Sequence, residues 1–304
     1  MTKPIVVVGS INMDLVARTR TIPRPGETVT GIGFETTPGG KGANQAVGAS
    51  RLGSSVKMVG MVGEDVFGQA LIENLSGAGV GVWAVDRVTG PSGVAPILVA
   101  ENGENSIVVV PGANGKVDCA YVDKNAELIR GAGMVLLQLE IPMETISRVL
   151  EICAEANVPV MLDPAPAASL PEGTWRRVAW FTPNETEAAF YLHDAADAET
   201  AARELLALGV RGVVLKRGAE GAYVADASRR ADWVRPFKVE AVDTVGAGDC
   251  FNGAFAVALM EGNDPFAAAR FASAAAAISV TRRGAQASMP TRVEVDEFLA
   301  QHKE

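Results

Sequence analysis

Histidine is nearly absent from this sequence: there are two, His193 and His302, the second only two residues from the end. A Ser-His-Asp relay or a His-ligated metal centre would have to be assembled around His193 in the stretch AAFYLHDAAD. A lone histidine at what reads as a helix end is ordinarily a surface residue. Any general base in this chain is therefore expected to be a carboxylate. Cysteine is almost as scarce. Cys119, Cys153 and Cys250 are odd in number, far apart and without a CxxC pair, which excludes a disulfide framework and a zinc site and reads as three reduced thiols. No apolar run approaches the roughly 18 residues that a membrane helix needs, and the opening MTKPIVVVGS is too short for a secretory core. A cytoplasmic protein with no membrane partner is expected. A basic surplus is missing as well: the formal net charge of −9 argues against a nucleic-acid partner and for a small molecule.

What is present is a packing sequence. The 304 residues are 48% hydrophobic and 21% charged, enough to bury a large core. Short β-branched runs alternate with alanine-rich stretches of helical period, which predicts repeated βα units and a mostly parallel sheet flanked by helices. Strands are expected at Ile5 to Val8, Val56 to Met61, Met134 to Leu139, Val158 to Leu162, Trp180 to Thr182 and Val213 to Lys216. Helices are expected at Ala43 to Leu52, Gly68 to Ala78, Tyr121 to Arg130, Met143 to Ala156, Glu185 to Leu192, Thr200 to Leu208, Ala247 to Glu261, Pro265 to Ser279 and Val293 to Gln301. Two stretches break the rhythm, at about 15–37 and 94–110; in the second, strand-like runs flank the polar turn ENGEN at 101–105, as in a β-hairpin. Together they read as a small sheet inserted in a single domain spanning 1–304, a natural lid, although the pattern alone suits edge strands of the main sheet equally well.

Ligands of open parallel sheets lie beyond the carboxyl ends of the strands. Those ends carry Ser10, Asn12 and Asp14, then Glu140, Asp163, Asn184 and Gly218. Each alone is an ordinary cap or turn former; together on one rim they mark a site. Asn12 and Asp14 alternate around Met13, so in an extended chain they share a face and suit vicinal hydroxyls. The stretch PGGKGANQA at 38–46 offers glycines for close backbone approach and, in Lys41 and Asn44, donors for a polyhydroxylated ligand. It is no Walker A motif, since Gly42 follows Lys41. In EAVDTVGAGDCFNGAFAVAL at 240–259, Gly246, Ala247 and Gly248 open a long helix whose N–H groups form an anion hole. Asp249 in that first turn reads either as a capping carboxylate or as a base placed beside the anion hole. Cys250 has no basic partner in view to make it a nucleophile.

These residues resemble the ribokinase and phosphofructokinase-B group of carbohydrate kinases. The resemblance runs nearly the whole length, through GSINMD at 9–14, PGETVTG at 25–31, GGKGANQA at 39–46, LLQLE at 136–140, DPAPA at 163–167, TPNETEA at 182–188, VDTVGAGDCFNGA at 242–254 and AAAAISVTRRGAQ at 274–286. It implies a doubly wound α/β fold with a small β-sheet lid, ATP and Mg²⁺ as co-substrates, and γ-phosphoryl transfer to the 5-hydroxyl of D-ribose. It further implies sugar contacts at Asn12, Asp14, Gly40, Lys41, Gly42, Asn44 and Glu140, with Asp249 as both sugar ligand and base. Nucleotide contacts fall on Asn184, Glu187, the stretch from Lys216 through Gly218 to Gly221, Gly246, Ala247, Gly248 and Ser273. Asn184 and Glu187 match an N-x-x-E pattern that organises Mg²⁺ through water. A monovalent cation, usually K⁺, is implied at Asp243, Val245, Ser279, Arg282, Gly284 and Ser288. Lys216 departs from the group, where a small hydroxyl residue is common. The resemblance also implies a homodimer through the lid sheets, and it leaves open a sister activity on another sugar or a nucleoside, or a non-catalytic sugar sensor.

Overall fold

The structure is a computed structural model that describes residues 3–192 and 197–302; His193 lies outside them. The strands are β1 (Ile5–Val8), β2 (Asn12–Thr19), β3 (Gly33–Gly39), β4 (Val56–Gly63), β5 (Gly81–Val88), β6 (Gly93–Ala100), β7 (Asn105–Ile107), β8 (Met134–Leu137), β9 (Val160–Leu162), β10 (Trp180–Phe181), β11 (Gly212–Lys216), β12 (Ala222–Asp226) and β13 (Ala231–Val234). The helices are α1 (Lys41–Arg51), α2 (Val66–Gly77), α3 (Cys119–Lys124), α4 (Ala126–Arg130), α5 (Met143–Ala156), α6 (Glu185–Tyr191), α7 (Ala198–Leu208), α8 (Ala247–Met260), α9 (Pro265–Val280) and α10 (Arg292–Gln301).

Nine strands form one sheet in the order β13-β12-β11-β10-β9-β8-β1-β4-β5. It is parallel from β11 to β5 and antiparallel only in the β11-β12-β13 edge. Strand β1 shows why it is buried on both faces. Its alternate residues Ile5 and Val7 join one apolar cluster with α1, α2, α8, α9 and α10, while Val6 and Val8 join another with α3 to α7. An all-apolar run is what a strand covered on both faces requires. The chain leaves β1 toward β4 and β5, then returns to its other side at β8, so strand order reverses between β1 and β8. The crevice at that reversal, outside the carboxyl ends, is where such sheets hold ligands.

The other four strands form a separate sheet, β3-β2-β6-β7, rather than an edge of the main one. The ENGEN turn closes the β6-β7 hairpin, with Gly103 at a φ of 87° that suits glycine. Expected elements are present, with two differences. The helix anticipated over 121–130 is two, α3 and α4, parted at Asn125, whose side-chain amide donates to the Tyr121 carbonyl (3.0 Å). Strands β5, β12 and β13 were not anticipated. Strands β5 and β13 lie at the sheet's two edges, where half-exposed faces admit Trp83, Arg87 and Trp233 and blur the apolar run; β12, one strand in, is buried, but its AYVAD holds a single β-branched residue.

The layer that builds the site is the crossing of α1 and α8. A Cβ at Gly253 would lie 2.9 Å from the Gln45 carbonyl oxygen and 3.0 Å from the Ala49 nitrogen, so the two backbones touch there. That contact carries Asn44 and Gln45 of α1 to the first turn of α8.

Candidate active site

The first wall of the site is the end of β1 and the start of β2. Gly9 to Asn12 run under the glycines of 39–42. A Cβ at Gly42 would come within 2.7 Å of the Ser10 nitrogen, one at Gly40 within 2.7 Å of the Asn12 nitrogen, and one at Gly39 within 2.3 Å of the Asp14 carboxylate. At 40 and 42 a side chain would collide with backbone, and Gly40 also holds a φ of 88°. Asn12 and Asp14 do share a face of β2, as their spacing predicts, and both are buried. Asn12 is oriented by Asn114, whose amide donates to Asn12 Oδ1 (2.6 Å) and whose Oδ1 accepts from the Ile11 N–H (2.9 Å). Glu140, three residues past β8, accepts from the Ser10 hydroxyl (2.5 Å) and from the Lys41 N–H (3.1 Å).

Asp249 sits at the centre of this arrangement, in the first turn of α8. Its Oδ2 accepts from Asn44 Nδ2 (2.9 Å) and its Oδ1 from Gln45 Nε2 (3.2 Å), and the same Gln45 amide also donates to Asp163 Oδ2 (3.0 Å). Burial raises the Asp249 pKa to about 6; the Lys41 ammonium lowers it, Asp163 raises it, and the Asn44 and Gln45 amides lower it. A carboxylate held there is ionised at neutral pH yet basic enough to take a proton, which a mere capping residue has no need to be. Burial likewise pushes Asp14 up to about 7, with Glu140 and Asp249 adding to the shift and Lys41 opposing it. Lys41 answers this acidic cluster. Burial works against its charge, but Asp249, Asp163, Glu140 and Glu187 outweigh that and hold its ammonium above its ordinary range.

Gly246 caps α8 in a left-handed conformation, φ 75°. The anion hole differs from the sequence reading in one donor. The Ala247 N–H is turned back onto the Thr244 carbonyl (3.2 Å), so the free first-turn donors are those of Gly248 and Asp249. A Cβ on Gly248 would meet only the Lys216 ammonium, at 3.5 Å; the space above the turn is open, with a cation at its rim. Lys216, the last residue of β11, pairs with Asp163 at 3.0 Å, and the two side chains are only 13% and 3% exposed.

From this turn a cavity of about 590 Å³ extends away from Asp249. Lys216, Ala247 and Gly248 line one end; Phe237, Ala277 and Val280 supply apolar wall; Gly218, Gly221 and Ser273 also border it. A charged head and a flat apolar body would both be accommodated. Asn184 and Glu187 stand beside β11, to which Asn184 bridges at Lys216. They form a reciprocal helix cap: Asn184 Oδ1 accepts from the Glu187 N–H (2.8 Å), and Glu187 accepts from the Asn184 N–H (2.8 Å) and side-chain amide (3.0 Å). Burial raises the Glu187 pKa, Lys216 lowers it and Asp163 raises it.

The residues matched to a monovalent cation lie in the segments around the start of α8, whose N-cap Gly246 abuts Ala285. Asp243 clasps two loops, accepting from the Val245 N–H (3.0 Å) and the Gly284 N–H (2.9 Å). The side chains of the others are engaged locally: Ser279 donates to the Ala276 carbonyl, Ser288 to the Ala285 carbonyl, and Arg282 pairs with Glu294. Among the described residues no cluster of three or more His, Cys, Asp or Glu side chains could hold a metal.

Sequence reasoning passed over Gln45, Asn114, Gln138 and Gln286, and gave Asp163 no role. Each touches a candidate residue or its immediate partner, and for the glutamines the signal is only a polar residue inside an otherwise small or apolar motif: Gln45 within GGKGANQA and Gln138 within LLQLE.

The match to known proteins spans the chain. The model of the pfkB family of carbohydrate kinases matches residues 2–292. The ribokinase of Bacillus subtilis (strain 168) is 47% identical over 297 residues, 97% of this chain and 99% of that one. The crystal structure of a ribokinase from Thermotoga maritima superposes with a TM-score of 0.91 at 41% identity, covering 98% of this chain and 99% of that one. The Arabidopsis thaliana ribokinase complexed with ribose and ATP gives 0.92 at 36% identity, with 98% and 99% covered.

Proposed function

The chain belongs to the pfkB family of carbohydrate kinases, and we propose that it acts as an ATP-dependent ribokinase, converting D-ribose and ATP to D-ribose 5-phosphate and ADP. One observation carries the reading: a buried carboxylate, Asp249, with a pKa raised to about 6, stands in the same helical turn as two free N–H donors. That juxtaposition joins a base for a hydroxyl to a cradle for a phosphoryl group.

In this reading ribose lies over β2 and the 39–42 turn. Asn12 and Asp14 take neighbouring ring hydroxyls, and Gly40 and Gly42 let the sugar approach the backbone. Lys41, Asn44 and Glu140 complete the pocket, Asn44 with the amide hydrogen that Asp249 does not use. The small sheet is the lid whose closure excludes water. ATP occupies the cavity, its base toward Ser273 and Val280 and its phosphates along Gly218, Gly221, Lys216, Gly246 and Ala247 to Gly248. The O5 oxygen bonds to the γ-phosphorus as its proton passes to an Asp249 oxygen. The bond from that phosphorus to the bridging oxygen breaks, and ADP leaves with the electron pair. The N–H groups of Gly248 and Asp249 stabilise the charge on the moving group.

Asn184 and Glu187, beside the Lys216 end of the cavity, are the residues that would meet a Mg²⁺ brought in with the nucleotide. When bound, it neutralises phosphate charge. A monovalent cation, K⁺ by preference, fits the Asp243 clasp if backbone carbonyls supply most ligands, in the segments of Val245, Ser279, Arg282, Gly284 and Ser288. Bound there, it would add positive field at the start of α8.

The lid supports a homodimer. Laterally paired residues of a sheet share a face, and by register Phe34, Ala17 and Leu98 form one row, and Leu15 and Pro96 another, on the face away from Asp14. Phe34 is 70% exposed there. A second copy's lid is the occupant of that apolar face, and light scattering at micromolar concentration tests it, a stable monomer counting against it. A cytoplasmic site of action, with no nucleic-acid partner, accords with the three free thiols and the acidic net charge. No helix among the described residues is long and apolar enough to cross a membrane.

Purified protein incubated with ATP and a panel of pentoses, hexoses and nucleosides tests the activity. ADP release with ribose above the others is expected. Release with a different acceptor assigns a sister kinase, and sugar binding without release assigns a sensor.

A further inference from the structure

Asp249 is not oriented by its two amide neighbours alone. Asn44, which donates to Asp249 Oδ2, accepts at its own Oδ1 from Gln286 Nε2 (3.0 Å). Gln286 in turn accepts at Oε1 from Asn74 Nδ2 (2.6 Å). The order of donors and acceptors along this chain is forced. An ionised carboxylate only accepts, so Asn44 must present its NH₂ to Asp249 and its oxygen to Gln286. Gln286 must then present its NH₂ to Asn44 and its oxygen to Asn74. The other oxygen of Asp249 is served by a parallel arm, in which Gln138 Nε2 donates to Gln45 Oε1 (2.7 Å) and Gln45 donates to Asp249.

Gln286 is well placed to fix the first arm. It is buried, and it lies midway between Gly284, tied to Asp243, and Met289, whose carbonyl accepts from Arg51 of α1 (2.7 Å). The loop is thus anchored on both sides of the residue, and Asn74 on α2 closes the chain from a third element. Without Gln286 the carboxylate alone would orient the Asn44 amide, and Asn44 Oδ1 would lose the donor that holds the side chain from its other end. We propose that Gln286 is a positioning residue for the phosphoryl-transfer step: acting through Asn44, it holds Asp249 in the orientation that receives the sugar proton, and it joins the 284–288 loop to the chemistry.

The inference rests on Asp249 being the base, and the test separates the two. Gln286→Met keeps the length of the side chain and removes both polar atoms. It is compared with Asn44→Ala, the double variant and Asn74→Leu in the full-length protein, each checked for thermal midpoint. A roughly tenfold fall in kcat is expected for Gln286→Met, an Asn44→Ala loss at least as large, and a smaller one for Asn74→Leu, because hydrogen bonds in a buried chain reinforce one another with diminishing reach. In the Asn44→Ala background the Gln286→Met change should have no further effect on kcat, since the intermediate link is already gone. Additive losses, or a lowered thermal midpoint with kcat intact, would overturn the relay. Wild-type turnover in Asp249→Asn would instead overturn the assignment of the base.

Discussion

At the Asp249 end of the rim, polar side chains from α1, α8 and the ends of β8 and β9 are hydrogen-bonded to one another in a connected set. Beyond Gly248 the plan changes: the cavity is walled mostly by small and apolar residues, and the polar side chains on its wall are Lys216, Lys238, Thr244 and Ser273. The difference follows from what each end must recognise. A sugar is distinguished by where its hydroxyls point, which requires fixed side-chain partners, and losing one leaves a buried group unpaired. A nucleotide offers a flat ring and a string of phosphates, for which an apolar slot and helix N–H groups suffice. Substitutions should therefore be costly at the first end and mild at the second.

The largest effect tests the first end at its centre. Asp249→Asn should lower turnover by roughly 10²- to 10⁴-fold, the usual contribution of a placed base, while calorimetry still finds ribose bound. In the parent protein the carboxylate must be ionised to accept a proton. With its pKa at about 6, kcat/KM for ribose should fall as pH drops through that value and level off above it. The Asp249→Asn variant should lose that limb; near-normal turnover or an unchanged limb would break the comparison where it matters most.

Asp14→Asn comes next, and it separates recognition from stability. Ribose affinity should drop by about tenfold to hundredfold, the scale of one hydrogen bond to a charged group. The Asp14 pKa is raised to about 7 by burial, then by Glu140 and Asp249. The folded chain thus takes up a proton more readily than the unfolded chain. The associated stability is complete below the ordinary carboxylate range and is lost as pH rises through about 7. Asparagine does not ionise, so the variant should melt above the parent at pH 8, at roughly 2–4 °C per kcal/mol for a chain of this size, with the gap closing toward pH 5. A lower melting point at pH 8 would mean that Asp14 is a structural residue first.

Lys216 lies on the boundary between the two ends. Lys216→Met should reduce kcat/KM for ATP by about tenfold, as the loss of one charge-assisted contact implies, with ribose affinity little changed. Ribose affinity falling in step with ATP would show that its pairing with Asp163 serves the sugar end through Gln45.

How much of this was legible before the structure depended on whether a residue carried its own signal. Strand β1 announced itself because a strand buried on both faces is uniformly apolar, and Asn12 with Asp14 because period-two spacing fixes a shared face. Asp249 read from its own turn as either a cap or a base; the scarcity of histidine favoured a carboxylate base, and the family resemblance pointed to this one. Edge strands β5 and β13 were missed because a half-exposed strand mixes residue types, and buried β12 because its AYVAD holds a single β-branched residue. The Ala247 N–H was miscounted as a ligand donor because a turn bond to the Thr244 carbonyl leaves no mark on residue identity. Gln45, Gln138 and Gln286 were invisible for a different reason. Their partners lie 93 to 242 residues away in the chain, and only the crossing of α1 and α8 and the docking of the 284–288 loop bring them together.

Ser273 gives the smallest effect and the sharpest contrast. It borders the cavity near Phe251, Ala276 and Ala277, where the surroundings select for shape more than for a particular hydrogen bond. Ser273→Val keeps the bulk and removes one hydroxyl in a slot open to water. A neutral hydrogen bond exchanged against water contributes only about 0.5–1.5 kcal/mol, so KM for ATP should rise by about tenfold at most, with kcat unchanged. A hundredfold loss would mean that the nucleotide end also reads its ligand through an individually placed side chain, and the contrast between the two ends would then reduce to burial alone.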